Sequence, residues 1–320
     1  MDFKLSKVKL GTEAGGRPPA AVEVSPQGVL AAASPAPGQA AVYAFQALPP
    51  GAILPGIGEP NLRDPQAVSE AIRSTLGQVS PRTRAVTLIL PDTVVRVFVL
   101  DFDSLPSKQA EIYPVLRFRL RKMVPFDVEH AGLSYQVLVE KKDECRVLAA
   151  VMPGPVLTEY EATVRAAGYE PGAVLPSGLA VLEAGEAGET MEAALIANLS
   201  ELSLTTSIIN GQDLLLYRTL DLPGEPELRS QEVRRGIAVA AAYYEDKLGS
   251  RPRRLYLAHH YGAGIDGELE EFAHWIDDPE LTVMELAPRP ETGAVSSLGG
   301  ASIAGVAGAL SLRAGQAGTQ

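Results

Sequence analysis

The chain has 320 residues, enough for one large or two modest domains, and its 46% hydrophobic against 21% charged composition excludes a disordered or fibrous class. With 28 Lys and Arg against 39 Asp and Glu the formal charge is −11, which argues against general nucleic-acid binding because the surface repels phosphate. Cys145 is the single cysteine, so an internal disulfide framework and a cysteine-based zinc site are excluded.

Residues 1–19 carry lysines but no continuous apolar run, and read as a poorly ordered leader rather than a signal peptide. Strands at 20–25 and 28–33 flank Pro26-Gln27, a breaker follows at 34–38, and 40–47 completes an antiparallel meander. After a Pro/Gly loop at 49–60, Asp64 is a helix N-cap with Pro65 in the first helical position, for a helix reaching Leu76. Strands at 83–90 and 93–101 meet at Pro91-Asp92. The second alternates Val95, Val97 and Val99 against Arg96, Phe98 and Leu100. A helix at 107–123 ends at Val124-Pro125-Phe126. Strands at 133–139 and 145–152 follow, with Cys145 as a small buried residue, then a helix at 155–167 stopped by Gly168.

The second half repeats this plan. Strands at 193–199, 202–209 and 213–220 form another meander, with Asn210-Gly211 at one corner as a hairpin signal. A helix at 231–248, a strand at 254–258, a helix at 267–275, a strand at 281–285 and a small-residue helix near the C-terminus complete it. The apolar stretch 298–312 is too short to span a bilayer. Two meanders, each followed by helix, strand and helix, imply two α/β lobes from internal duplication, with a ligand cleft between them.

Residues 104–180 carry the most specific signal: Leu105-Pro106, the run from Arg117 to Phe126, Leu133-Ser134-Tyr135-Gln136-Val137, Arg146 to Val151, Ala166-Ala167-Gly168, and Leu179-Ala180. This order resembles the PilM family of type IV pilus assembly proteins, which are actin-like and FtsA-like. The resemblance implies an α/β, actin-like (ribonuclease H-like) two-lobe ATPase fold with a small inserted α+β subdomain. The first lobe is expected at 20–175, its insert at about 105–170, and the second lobe at 176–320.

In that family the first hairpin carries an Asp that acts through magnesium, and glycine and serine wrap phosphate. Glu23 falls at the Asp here, with Ser25 and Gly28 after it, but Pro26 has no N–H to donate. The second hairpin puts Ala197 at the acidic position and Leu199 at the glycine, beside Asn198 and Ser200. Where the family packs adenosine on a Gly-Gly pair, this chain has His259-His260-Tyr261-Gly262. Glu23, Ser25, Gly28, Asn198, Ser200 and Gly262 thus outline a degenerate nucleotide cleft. The reading is of a non-catalytic ATPase relic with no cofactor; ATP with magnesium is the alternative.

No GxxxxGK[ST] or G-x-G-x-x-G segment, catalytic triad or carboxylate pair stands out. His259, His260 and His274 lack an acidic partner at metal-ligand spacing, so a core role outweighs a metal site. Arg117, Arg119, Arg121 and Lys122 form a basic run, read either as a solvated helix face or as an attraction for anionic lipid.

The resemblance further implies a partner, the cytoplasmic N-terminal tail of a PilN-like inner-membrane protein, held in a groove beside the insert. Arg117, Arg121, Val124, Pro125, Phe126 and Tyr135 are the candidate contacts, and strand edges there could pair with an extended peptide. The expected role is a cytoplasmic scaffold of the pilus platform, bound to the inner membrane through partners and self-associating into a ring. The alternatives are an active ATPase of the same machine or a GspL-like type II secretion component.

Overall fold

The computed structural model of the chain describes residues 17–34, 40–58, 60–184, 193–211, 213–259, 265–286 and 302–311. Of the expected leader only residues 17–19 fall among these, and Pro18 and Pro19 are buried. The first meander is β1 (Ala20–Val24), β2 (Gly28–Ala33) and β3 (Val42–Ala47), followed by α1 (Pro65–Val79) and β4 (Ala85–Leu90). Asp64 caps α1 by accepting the Ala67 N–H at 2.9 Å, and Pro65 opens the helix. Asp64→Ala is expected to cost about 1 kcal/mol, seen as a lower denaturant midpoint with an unchanged slope. α1 buries Val68, Ala71, Ile72, Leu76 and Val79, the one-face spacing of an amphipathic helix, against the sheet.

Next come β5 (Arg96–Phe102), α2 (Gln109–Leu120), β6 (Gly132–Lys141), β7 (Glu144–Met152), α3 (Gly154–Ala166), β8 (Glu170–Pro176) and the short α4 (Ser177–Ala180). The second meander is β9 (Ala194–Leu199), β10 (Ser203–Asn210) and β11 (Asp213–Asp221). It continues with α5 (Pro226–Leu248), β12 (Arg254–His259), α6 (Ile265–Ile276), β13 (Thr282–Glu285) and α7 (Ala304–Ser311). Gly168 at φ +93° stops α3, and Gly211 at φ +59° supplies the hairpin corner, both conformations that a side chain disfavours.

Two five-stranded sheets have the same order, β3-β2-β1-β4-β8 and β11-β10-β9-β12-β13, and in each the first and fourth partners are parallel. The duplication is therefore present strand for strand. β8 was not foreseen: Pro171, Gly172 and Pro176 read as breakers. A sheet edge tolerates them, and the register slips at Val86/Thr87 opposite Pro171 and Gly172. α5 begins at Pro226 rather than 231, because a proline at the first helical position starts a helix ahead of its apolar periodicity.

The third sheet, β5-β7-β6, and α2 form the insert, which spans Arg96–Met152. The expected insert of about 105–170 is corrected at both ends: β5 belongs to it. α3 instead buries Val156, Tyr160 and Val164 in the first lobe's core. The second lobe, expected to run to 320, likewise gives up its last helix. Ile303, Val306 and Ala309 at α7 pack with Ala21, Leu30, Ala32 and Ile89 of the first sheet. Gly308 permits this, since a Cβ there would strike the Ala180 carbonyl.

Candidate functional site

Strand alternation delivers the cleft residues. On β1, Ala20, Val22 and Val24 face the α1 side, which turns Ala21 and Glu23 the other way. On β9, Leu195, Ala197 and Leu199 face α5 and α6, so Ile196 and Asn198 face the cleft. Ser25 and Ser200 follow the two strands and close equivalent turns. Ser25 N–H donates to Gly28 O at 2.9 Å and Ser200 N–H to Ser203 O at 2.8 Å. The two turns meet across the cleft, where Gln27 Nε2 donates to Glu201 Oε2 at 3.1 Å. A second crossing is the Arg96–Asp221 ion pair at 3.1 Å.

Asp92, directly after β4, is 4% exposed and binds both lobes. Its Oδ1 accepts the Gly178 N–H at 2.7 Å, and its Oδ2 accepts from Asn198 Nδ2 at 3.0 Å and Thr205 Oγ1 at 2.6 Å. Ser177 Oγ accepts from Asn198 at 3.3 Å and donates to Glu23 Oε1 at 2.8 Å. A continuous polar chain thus runs from Asn198 through Ser177 to Glu23. Burial pushes the Glu23 carboxyl up to about 7, with the Ser177 hydroxyl acting in the opposite sense. Burial and the neighbouring Asp92 charge push Tyr217 well above the ordinary phenol range. Gly305 of α7 faces Glu23, where a Cβ would lie 3.0 Å from Oε1.

These groups line a small, partly open cleft with room for ordered water. Its lining includes the carboxylates of Glu23, Asp92 and Glu201 and, among the described residues, no Lys or Arg. Three protein donors already point at Asp92, the reverse of the lone-pair array a cation requires. Among the described residues these groups form a hydrogen-bonded seam between lobes.

No family model matches the chain, and no curated protein matches it. Among solved structures, a chain of the PilM-PilN type IV pilus biogenesis complex superposes with TM-score 0.68 at 19% identity, over 94% of this chain and 99% of that one. The fold is PilM-like and actin-like. The cytoplasmic domain of EpsL, an inner-membrane component of the type II secretion system of Vibrio cholerae, gives TM-score 0.49 at 14% identity, covering 94% and 95%. A Bacteroides thetaiotaomicron protein with an actin-like ATPase fold gives 0.45 at 10%, covering 86% and 94%.

Within this PilM-like frame, one expectation shifts by a residue. Counting back from the matched turns, Asn198 and not Ala197 is the counterpart of Glu23, and Ser200 rather than Leu199 takes the glycine place. Glu23, Ser25, Asn198 and Ser200 do line the cavity together. Gly28 instead packs beside Phe45 and the Gln46 carbonyl on β3, and Gly262 and His260 lie outside the described residues. His259 is buried at the end of β12, and His274 is exposed on α6. Asp92, Ser177 and Thr205 were missed. For Asp92 a signal existed, since the carboxyl ends of parallel strands are where α/β sheets place their sites.

The candidate partner residues cluster on the insert, but most serve its own packing. Arg117 Nη2 donates to the Ala131 carbonyl at 3.3 Å, and Arg121 pairs with Glu129. Val124 is core, against Val128 and Ala131, so its expected role as a contact is corrected; Phe126 packs on the same cluster. Tyr135 meets Tyr113 edge-on at 5.3 Å, and Pro125 is exposed. β6 is an edge of its sheet, with Gln136 Oε1 buried and without a hydrogen-bond partner among the described residues.

Proposed function

We propose that this chain is a cytoplasmic scaffold of a type IV pilus or related secretion machine, and that it holds the N-terminal tail of a PilN-like membrane protein. The observation that carries the reading is the end-to-end likeness to a chain of a PilM-PilN complex. Among the described residues no helix is long and apolar enough to cross a membrane, so attachment through a partner suits the chain. The tail pairs as an added strand on the β6 edge, and Gln136, on the lobe-facing side opposite Leu148, offers it an acceptor. Copies associate into a ring around the platform. The interlobe cleft takes no nucleotide, a reading supported by a lining with three carboxylates and, among the described residues, no Lys or Arg.

Titrating the protein into labelled peptides copying the N-terminal tails of membrane proteins encoded beside its gene is expected to give saturable binding that persists in high salt. If none of these tails binds the folded protein, the scaffold reading fails. Calorimetry with millimolar Mg-ATP is expected to give a flat trace. Heat of binding that disappears in Glu23→Ala would instead support the ATPase reading, which the position of Glu23 in the first turn motif favours.

A further inference from the structure

α2 buries Ile112, Leu116 and Leu120 against the third sheet. Phe118 projects away from these, with exposed Arg119 beside it and exposed Arg121 and Lys122 just past the last residue of the helix. The turn continues to Met123, whose N–H donates to the Leu120 carbonyl at 2.8 Å. Phe118 is 71% exposed, the most of any large hydrophobic among the described residues, and Met123 is 42% exposed. Around them stand Arg119, Arg121 and Lys122, all exposed, in a chain of net charge −11. Arg121 shares its charge with Glu129, and Glu111 is held by Lys108 at 3.5 Å. Arg119 and Lys122 form no ion pair among the described residues.

We propose that this end of α2 is a peripheral membrane contact. Anionic phospholipid headgroups gather on Arg119, Arg121 and Lys122, while Phe118 and Met123 enter the headgroup layer. The shape favours a bilayer over an acidic protein segment: the ring projects from a helix instead of lining a groove, and a fluid surface adapts to a projection where a peptide needs a concavity. The overall negative charge does not prevent this, because at physiological salt it is screened beyond ~8 Å and the patch acts locally. Each basic side chain near such a surface contributes roughly fivefold in partition, so the contact is reversible and adds to tethering by other means.

The test is flotation of the full chain with vesicles of phosphatidylcholine and phosphatidylglycerol in equal parts, beside pure phosphatidylcholine. The wild type is expected to float with the mixed vesicles at physiological salt, to be released from them in high salt, and to ignore the neutral ones. Arg119→Glu with Lys122→Glu should cut partition at least tenfold, and Phe118→Ala should weaken it with circular dichroism unchanged. No flotation on the anionic vesicles, or variants that float like the wild type, overturns the proposal. So does a patch whose Phe118→Ala variant loses tail-peptide binding while lipid binding is absent, which would assign it to a protein partner. Because tail capture is measured separately, failure of either proposal leaves the other standing.

Discussion

Asp92→Ala is expected to lower the unfolding free energy by about 3 kcal/mol and the melting temperature by about 5 °C. The wild-type carboxylate accepts three donors from two lobes in a setting 4% exposed to solvent. Truncation strands the Gly178 N–H, the Asn198 amide and the Thr205 hydroxyl, and each buried unpaired group costs about 1–3 kcal/mol. The sum is reduced because the adjoining cleft can admit a water to the vacated space. Asp92→Asn keeps the shape but turns an NH2 toward existing donors, so it should recover little. Thermal melts by circular dichroism check both variants. A loss under about 2 °C for Asp92→Ala would show that the seam contributes little to holding the lobes.

Glu23→Gln is expected to change the pH dependence of stability. The folded carboxyl titrates at about 7, above the unfolded value of 4.5, so the folded state keeps a proton that the unfolded chain releases. Stability therefore falls as pH rises from about 4.5 to 7 and is level above, a loss on the order of 3 kcal/mol from this group. Glutamine, always neutral and still able to accept from Ser177, removes that loss. Chemical denaturation should find the variant close to wild type at the acid end and more stable at the alkaline end. Glu183, also raised to about 7 by burial, contributes the same sign in both proteins and cancels in the difference. Parallel profiles for the two proteins would mean that Glu23 is hydrated in the folded state.

The meanders, the α1 cap and the long helices were legible because alternation, Asp64-Pro65 and Asn210-Gly211 are local signals. β8 was not, since an edge strand with two prolines looks like a loop until its neighbour β4 is known. Glu23, Ser25, Asn198 and Ser200 were found from the turn pattern. Yet choosing Ala197 over Asn198 shows how a shift of one residue exchanges the buried face for the cleft face. Ser177 and Thr205 lie 154 and 113 residues from the carboxylates they serve, a meeting that no sequence spacing encodes. Val124 carries a weaker signal: an apolar residue at a helix end is more often core than contact, and here it packs with Val128 and Ala131.

β7 has a mechanical consequence. Ala150 and Met152 on one of its faces sit in the first lobe's core, while Leu148, the next residue on the same face, sits in the second lobe's cluster. One strand thus straddles the seam as a cross-brace. Swinging one lobe against the other would shear side chains two positions apart on a continuous backbone, with the Arg96–Asp221 pair as a further tie. In this arrangement a swing of one lobe against the other is opposed at β7 itself, where neighbouring side chains of one face are anchored in different cores.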